Sequence, residues 1–397
     1  MAEDIAVTNF RKYLRINTGP PVFDYAGAVE FLLNLGKELE LESSVAEPVP
    51  GYPFVILTKI GQKPELPSLL LYSHTDVVAV FPEHWKYDPF SAHKEDNGDI
   101  YARGSQDMKC VGIQYLEAYR RLKAAGKCDF ARTVHFVFGP DEETGAKKGM
   151  ALFADDDRFK ALNVGLALDE GIASEDDVYK VFYGERCIWW MQVICAGSPG
   201  HGSKFLENTA AEKLYKVIGK FLELREKEKQ RLADNPELTM GDVISVNLTK
   251  VEGGVQLNVV PASLSVYFDI RVPPTVDFDN LLETFMSWLK EAGPDVTHQF
   301  HQFCKISSVT DTTDSNPFWT AFTSVMDEMK LKYKKEIFIG ATDSRFLRER
   351  GYAAFGFSPM IKTKQLLHDH NEYLNEKVFL DGLEIYARLI PRLANVQ

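Results

Sequence analysis

The 397-residue sequence predicts an α/β protein: a central mixed sheet flanked by helices, interrupted by an inserted α+β unit. Strand-like and helix-like segments alternate until residue 184, which is typical of a sheet covered on both faces. The order then changes to β-α-β-β-α-β, the split βαβ pattern of ferredoxin-like units. The alternation of strands and helices returns after residue 304. We therefore predict a discontinuous first domain, residues 1–184 and 305–397, around a second domain, residues 185–304.

The elements of the first domain follow from the spacing of apolar residues. Residues 25–40 show helical spacing, and an amphipathic helix, MKCVGIQYLEAYRRLKAAG, ends at Gly126. Beyond residue 305 a helix is predicted over 316–330, and a last helix around VFLDGLEIYARLI. The predicted strands, read from short apolar runs, are FVILTKI, SLLLYS, RTVHFVF, NVGLALD and EIFIG.

The elements of the second domain are equally regular. IWWMQVICAG is a predicted strand, and the long helix after it begins with the capping-box spacing Thr209-x-x-Glu212. Strands joined at Gly253-Gly254, the helix VDFDNLLETFMSWLKEAG and the strand VTHQFHQF complete the pattern.

Composition excludes several classes of protein. A net charge of -12 argues against nucleic-acid binding, which depends on clustered Lys and Arg. We find no signal peptide and no apolar run of membrane-spanning length, so we expect a cytoplasmic protein that does not bind membranes. Five cysteines without a CxxC pair argue against both a disulfide framework and a thiolate metal site.

Acidic and histidine side chains gather where predicted strands end. His74 and Asp76 in SHTDVV alternate along one strand and so share a face. The other candidates lie in YARGSQDMK (101–109), PDEETG (140–145), LALDEG (166–171) and LLHDHNE (366–372). Sites of open α/β sheets form at the carboxyl ends of strands, so these segments predict one metal site. Imidazole and carboxylate ligands suit Zn²⁺, and also Co²⁺ or Mn²⁺. Two histidines and three carboxylates are too many for one tetrahedral ion and predict a pair.

Two positions remain ambiguous from the residues alone. Asp169 and Glu170 are adjacent, so in a strand only one of them can face the metal. His368 and His370 would share a face if their segment were extended.

With these motifs, in this order over nearly the whole chain, the sequence resembles the zinc-dependent aminoacylase, carboxypeptidase and dipeptidase family. The resemblance also rests on SPGHGS (198–203), GGVQLNVVP (253–261), DIR (269–271) and ATDSR (341–345). It implies a zinc-exopeptidase-like catalytic domain interrupted by a lid that also forms a homodimer.

The resemblance assigns two Zn²⁺ per subunit to particular residues. Asp107 would bridge the ions, His74 and Glu170 would complete one site, and Glu143 and His368 the other. Asp76 would orient His74 through the ring nitrogen that does not bind metal. Glu142 would be the general base. A cis peptide bond is implied between Asp107 and Met108.

The resemblance also implies substrate contacts in the lid. His201 would polarise the scissile carbonyl in the partner subunit's site. Asn258 and Arg271 would hold the substrate, the arginine through the α-carboxylate. A weaker correspondence makes Asp343 part of the pocket floor.

The implied reaction is hydrolysis of N-acyl-L-amino acids to a carboxylate such as acetate and the free amino acid. The chemical alternative is a cytosolic dipeptidase or carboxypeptidase, since the same metal site serves either amide. A non-catalytic binding protein is the alternative from another class, and the presence of Glu142 and the ligands argues against it.

Overall fold

A computed structural model describes residues 3–396. The helices are α1 (Ile5–Leu14), α2 (Tyr25–Glu38), α3 (Lys109–Ala124), α4 (Met150–Phe153), α5 (Asp157–Lys160), α6 (Ala210–Asp234), α7 (Phe278–Ala292), α8 (Pro317–Glu328), α9 (Ser344–Glu349) and α10 (Glu376–Ala394). The strands are β1 (Glu42–Val49), β2 (Tyr52–Lys59), β3 (Ser68–His74), β4 (His93–Lys94), β5 (Asp99–Tyr101), β6 (Val134–Gly139), β7 (Val164–Asp169), β8 (Val178–Glu185), β9 (Cys187–Ala196), β10 (Gly200–His201), β11 (Ser245–Gly253), β12 (Val259–Val260), β13 (Ser263–Val272), β14 (Val296–Gln302), β15 (Lys332–Phe338), β16 (Ala353–Gly356) and β17 (Tyr373–Asn375).

The larger sheet is mixed, in the order β1-β2-β6-β3-β7-β16-β8-β15. Its central strands β6, β3, β7 and β16 run parallel, and β2 joins them antiparallel. β3 is buried along its whole length because both faces are covered. Leu69 and Leu71 pack into one apolar core and Leu70 and Tyr72 into another, as the alternation of side chains requires. The predicted fold class is confirmed.

Two of the predicted helix ends have the expected chemistry. Thr209 and Glu212 form a reciprocal capping box at the start of α6. Gly126 follows the end of α3 with φ of 64°, a conformation that glycine adopts without steric cost. Within residues 3–396, none of the helices is both long and apolar enough to span a membrane.

The chain forms two compact units. The first comprises Met1–Tyr183, Thr310–Lys335 and Thr342–Gln397, and the second Gly184–Val309 and Glu336–Ala341. In the second unit, β11-β13-β9-β14 form an antiparallel sheet, the strand order of a ferredoxin-like fold. Its apolar core includes Trp189, Phe221 and Phe285.

The second unit includes Glu336–Ala341, a segment inside the predicted first domain. Hydrogen bonds explain this: the backbone N–H of Arg186 donates to the Phe338 carbonyl oxygen at 3.1 Å, and its guanidinium donates to the carbonyl oxygen of Ile339. Such long-range pairing carries no local sequence signal. The role of this unit as a lid and dimerisation domain stays a prediction.

Candidate metal centre

Three parallel neighbours, β6, β3 and β7, end at the same edge of the larger sheet. His74 is the last residue of β3 and is paired with Gly139, the last of β6. The chain leaving β6 reaches Glu142 and Glu143 in a short 3-10 turn, and the chain leaving β7 reaches Glu170. The sheet therefore brings together side chains that are far apart in sequence.

His74, Asp107 and Glu170 form the first of two groups, the buried ligand group. The Nε2 atom of His74 lies 3.0 Å from Oδ1 of Asp107 and 3.6 Å from Oε2 of Glu170. All three residues are buried. Although burial opposes it, Glu170 and Asp107 raise the pKa of His74 well above its ordinary value. The carboxylates thus attract a cation to this position.

Asp107, Glu143 and His368 form the second group, the outer ligand group. The Nε2 atom of His368 lies 3.0 Å from Oε2 of Glu143 and 3.3 Å from Oδ2 of Asp107. Asp107 thus offers one oxygen to each group. Burial acts to raise the pKa of Asp107, but hydrogen bonds from His368 and His74 hold it well below its usual range.

The donor atoms fit a pair of tetrahedral cations. Two ligand atoms on one tetrahedral zinc are about 3.4 Å apart, because each lies about 2.1 Å from the ion. The four separations above run from 3.0 to 3.6 Å. In addition, the buried Oε1 atom of Glu143 has no hydrogen-bond partner within residues 3–396, although buried polar atoms are ordinarily satisfied. The centre thus has the ligands, the spacing and the charge for divalent metal.

Asp76 contacts His74 differently from the expectation. The Nδ1 atom of His74 lies 2.9 Å from the backbone carbonyl oxygen of Asp76, and 3.8 Å from its carboxylate. The carboxylate instead accepts the backbone N–H of Glu142 at 3.2 Å and of Glu143 at 3.0 Å. The main chain of Asp76 thus makes the shorter contact to the ring, and the orientation of His74 by the Asp76 carboxylate, which the family resemblance implied, stays a prediction. The side chain of Asp76 holds the turn that bears the two glutamates.

Glu142 is buried beside the ligands but belongs to neither group. Burial, and then the charge of Glu170, raise the pKa of Glu142 well above its ordinary value. Asp141, the residue before it, has φ of 75°, which turns the chain sharply after β6. A carboxylate that lies beside the metal ligands without being a ligand itself is positioned to act as a proton acceptor.

The structure separates Asp169 from Glu170. Asp169 accepts the backbone N–H of Ser344 at 3.0 Å and its hydroxyl at 2.7 Å, so this carboxylate holds the start of α9. Glu170 points to His74 instead.

Asp343 is fully buried and accepts a hydrogen bond from the hydroxyl of Tyr72. Burial, and then the charge of Asp169, raise the pKa of Asp343 to about 8.

The segment with His368 and His370 is a turn, not an extended chain. His368 has φ of 61° and Asn371 has φ of 58°, so the two histidines do not share a face. His370 packs against His84 with ring centroids 4.9 Å apart, while His368 contacts Glu143 and Asp107. The peptide bond between Asp107 and Met108 is cis, as the resemblance implied.

His201, Asn258 and Arg271 lie in the second unit. A two-stranded ribbon pairs His201 with Val259, and the Gly202 N–H donates to the Asn258 carbonyl oxygen at 2.8 Å. His201 and Asn258 are therefore neighbours, and both are exposed. The Nε and Nη2 atoms of Arg271 donate to the two carboxylate oxygens of Asp269, at 2.6 and 2.9 Å. This ion pair occupies two N–H groups of the guanidinium and so competes with the predicted binding of a substrate carboxylate by Arg271.

Glu372 was not predicted as a site residue and in the sequence only marks the end of LLHDHNE. Its carboxylate is fully buried beneath the chain that leads to Asp107. A glutamate so close to a ligand histidine was the available signal, but only tertiary structure reveals its partners.

A mixed α/β sheet with two carboxylate-histidine groups sharing one aspartate defines a class, hydrolases that act through a pair of divalent cations. The chain belongs to peptidase family M20/M25/M40, whose model matches residues 70–392. The family resemblance expected from the sequence is thereby confirmed, together with the hydrolase class.

Relatives cover almost the whole chain. Aminoacylase-1 of Homo sapiens is 54% identical over 394 residues, covering 99% of this chain and 96% of the relative. Aminoacylase-1 of Dictyostelium discoideum is 42% identical over 407 residues, covering 100% and 99%. Among solved structures, an M20 family metallo-carboxypeptidase from Sulfolobus solfataricus matches with a TM-score of 0.73 at 17% identity, covering 99% of each chain. This last likeness shows the fold.

Proposed function

We propose that this protein hydrolyses the amide bond of N-acyl-L-amino acids, releasing a carboxylate such as acetate and the free L-amino acid. The buried and outer ligand groups would each hold one Zn²⁺, two per subunit. The observation that carries the proposal is the pair of ligand groups around Asp107 with the unliganded Glu142 beside them. The 54% identity to an aminoacylase-1 supports this substrate class over dipeptides.

Two divalent cations, when bound, supply positive charge that makes water more acidic and withdraws electrons from the amide carbonyl. The carboxylate of Glu142 takes a proton from the attacking water and delivers it to the leaving nitrogen. Burial, and then the charge of Glu170, act to raise the pKa of this carboxyl. The carboxylate of Asp76 keeps the backbone of Glu142 in place throughout.

His201 is proposed to donate a hydrogen bond to the amide oxygen as negative charge develops on it. The Ser203 N–H points at Nδ1 of His201, with 3.3 Å between the nitrogens, which favours the tautomer with its proton on Nε2. Since Nε and Nη2 of Arg271 donate to Asp269, its Nη1 atom is proposed to bind the substrate α-carboxylate, with Asn258 beside His201. Asp269 would then orient the guanidinium.

The proposal includes a homodimer in which His201 serves the partner's site. Phe205, Val255 and Leu257, which flank His201 and Asn258 in sequence, are almost completely exposed. Val255 and Leu257 are two residues apart, and large apolar side chains exposed together in this way are typical of an interface. We also propose a cytoplasmic location, without nucleic-acid or membrane partners, in keeping with the net charge of -12.

The first test changes the proposed base. Glu142→Asp and Glu142→Ala should each lower turnover of N-acetyl-L-methionine by at least about 100-fold, the usual contribution of general acid-base catalysis. Zinc measured by mass spectrometry should stay at the wild-type level, because Glu142 is in neither ligand group. The exposed Glu226→Ala is the control and should retain full activity.

Two outcomes would contradict the assignment. Loss of zinc together with activity in Glu142→Ala would mean that Glu142 and Glu143 have exchanged roles. Faster wild-type hydrolysis of dipeptides than of N-acetyl-L-methionine would favour the dipeptidase or carboxypeptidase alternative.

A second test concerns the shared site. His201→Ala and Glu142→Ala homodimers should both be nearly inactive, but mixed dimers contain one site with both native residues. Dissociating and reassociating the two variants together should therefore restore activity, towards a quarter of the wild-type level. No recovery in mixtures shown to exchange subunits would place His201 in the site of its own chain.

A further inference from the structure

Glu372 is a fully buried carboxylate outside both ligand groups. Its Oε2 atom accepts Nη1 of Arg103 at 2.7 Å and the Gly104 N–H at 3.2 Å. Its Oε1 atom accepts the N–H groups of Gln106 at 2.6 Å and Asp107 at 3.3 Å, and the Ser105 hydroxyl at 3.4 Å. One side chain thus contacts five consecutive residues, the last of which is the shared metal ligand.

A small sheet places Glu372 beneath this loop. β17, which begins at Tyr373, pairs antiparallel with β5, and Tyr373 lies opposite Tyr101. The Ala102 N–H donates to the carbonyl oxygen of Glu372 at 3.1 Å, which extends the pairing by one residue. The loop leading to Asp107 therefore begins directly beside Glu372.

The same glutamate is connected to the outer ligand group through its own chain. His368 lies four residues before it, in the turn with positive φ at His368 and Asn371. The Nη2 atom of Arg103 donates to the Asp369 carbonyl oxygen at 3.0 Å, so the arginine paired with Glu372 also holds this turn. Arg103 is itself 2% exposed. The ion pair therefore joins the segment bearing Asp107 to the segment bearing His368.

We propose that Glu372 is a positioning residue for the metal centre. It fixes the main chain of residues 103–107 and, through Arg103, the turn that carries His368. Asp107 is thereby already positioned for both ligand groups before a divalent cation binds. Groups that orient metal ligands commonly contribute 10- to 100-fold to metal affinity. The inference rests on the proposed function only in requiring that the two ligand groups bind metal.

A buried ion pair with a merely structural role would behave differently. It would lower the stability of the whole fold when broken, without a selective change in metal affinity. The chain supplies a matched control in Glu117 on α3, which is 1% exposed. Its carboxylate accepts Nδ2 of Asn9 at 2.8 Å and Nε of Arg120 at 2.7 Å. Neither contact involves a segment that carries a ligand.

The test compares Glu372→Gln with Glu117→Gln in the full chain. Glutamine keeps the size of glutamate but replaces one acceptor oxygen by an NH₂ group, which cannot accept from Arg103 or from backbone N–H groups. Zinc affinity is measured by competition with a chromophoric chelator, and thermal unfolding is followed in metal-free protein. We expect zinc binding about 10- to 100-fold weaker in Glu372→Gln and within about twofold of wild type in Glu117→Gln.

Zinc affinity of Glu372→Gln equal to that of Glu117→Gln would overturn the proposal, whatever happens to the melting temperature. If Glu372→Gln does not fold, Arg103→Lys replaces it, because lysine keeps the charge but cannot reach both Glu372 and the Asp369 carbonyl in the same fork. Unchanged zinc affinity in Arg103→Lys would equally overturn the proposal. Failure of the wild type to bind zinc would refute the proposed metal centre itself, and so is distinguishable from failure of Glu372 alone.

Discussion

The two ligand groups share Asp107 but sit in contrasting surroundings. His74 of the buried ligand group is 0% exposed at the end of a central strand, with its second ring nitrogen held by a backbone carbonyl. His368 of the outer ligand group is 56% exposed and lies in a turn. Regular structure thus orients one histidine, whereas the other depends on a loop. From this difference we expect the buried position to bind a divalent cation more tightly than the outer position, which should exchange its cation first.

The largest expected effect separates the two histidines. In metal-free protein, His74→Ala leaves Asp107 and Glu170 buried without their positive partner, so stability should fall by about 3 kcal/mol. For His368→Ala we expect a loss of no more than about 1 kcal/mol, because water solvates the exposed site. Denaturant unfolding of the metal-free chains measures both, and zinc content after dialysis should stay near one ion per chain in His368→Ala.

The exposed His298→Ala, on β14, serves as the control and should match wild type in stability and zinc content. Equal destabilisation by His74→Ala and His368→Ala would break the comparison. So would a His368→Ala protein that loses both ions together, since the two groups would then act as one unit.

A smaller effect is expected from Asp76. Its backbone carbonyl contacts His74 of the buried ligand group, and its carboxylate contacts the turn that bears Glu143 of the outer ligand group. Asp76→Asn should keep the backbone bond to His74 but weaken acceptance of the Glu142 and Glu143 N–H groups. We therefore expect the outer ion to bind about 10-fold more weakly and the buried ion to be little changed. Stepwise chelator titration resolves the two affinities.

The matched control is Asp277→Asn, because Asp277 also accepts two backbone N–H groups, from Asp279 and Asn280, but does so at the start of α7. It should alter neither zinc affinity. Selective weakening of the buried ion in Asp76→Asn would instead support a direct contact of the carboxylate with His74, as the family resemblance implied.

Much of the fold was predictable because it depends on local patterns of apolar and capping residues in the sequence. The apolar run before His74, the amphipathic α3 and the capping box at Thr209 each depend on neighbours within a few residues. The short strands β4, β5 and β17 were not predicted, since strands of two or three residues have no periodicity to detect. Their pairing nonetheless places Glu372 beneath the loop that leads to Asp107.

The sequence by itself determined which residue types were available at the strand ends, and hence a centre of histidine and carboxylate without thiolate. The tertiary structure decided which atoms of those residues meet. Asp169 faces Ser344 while Glu170 faces His74, and Asp76 offers its carbonyl to the ring and its carboxylate to a turn. The reason is physical: alternation along a strand is a local property, but a hydrogen-bond partner from another segment is chosen by the packing of the whole sheet.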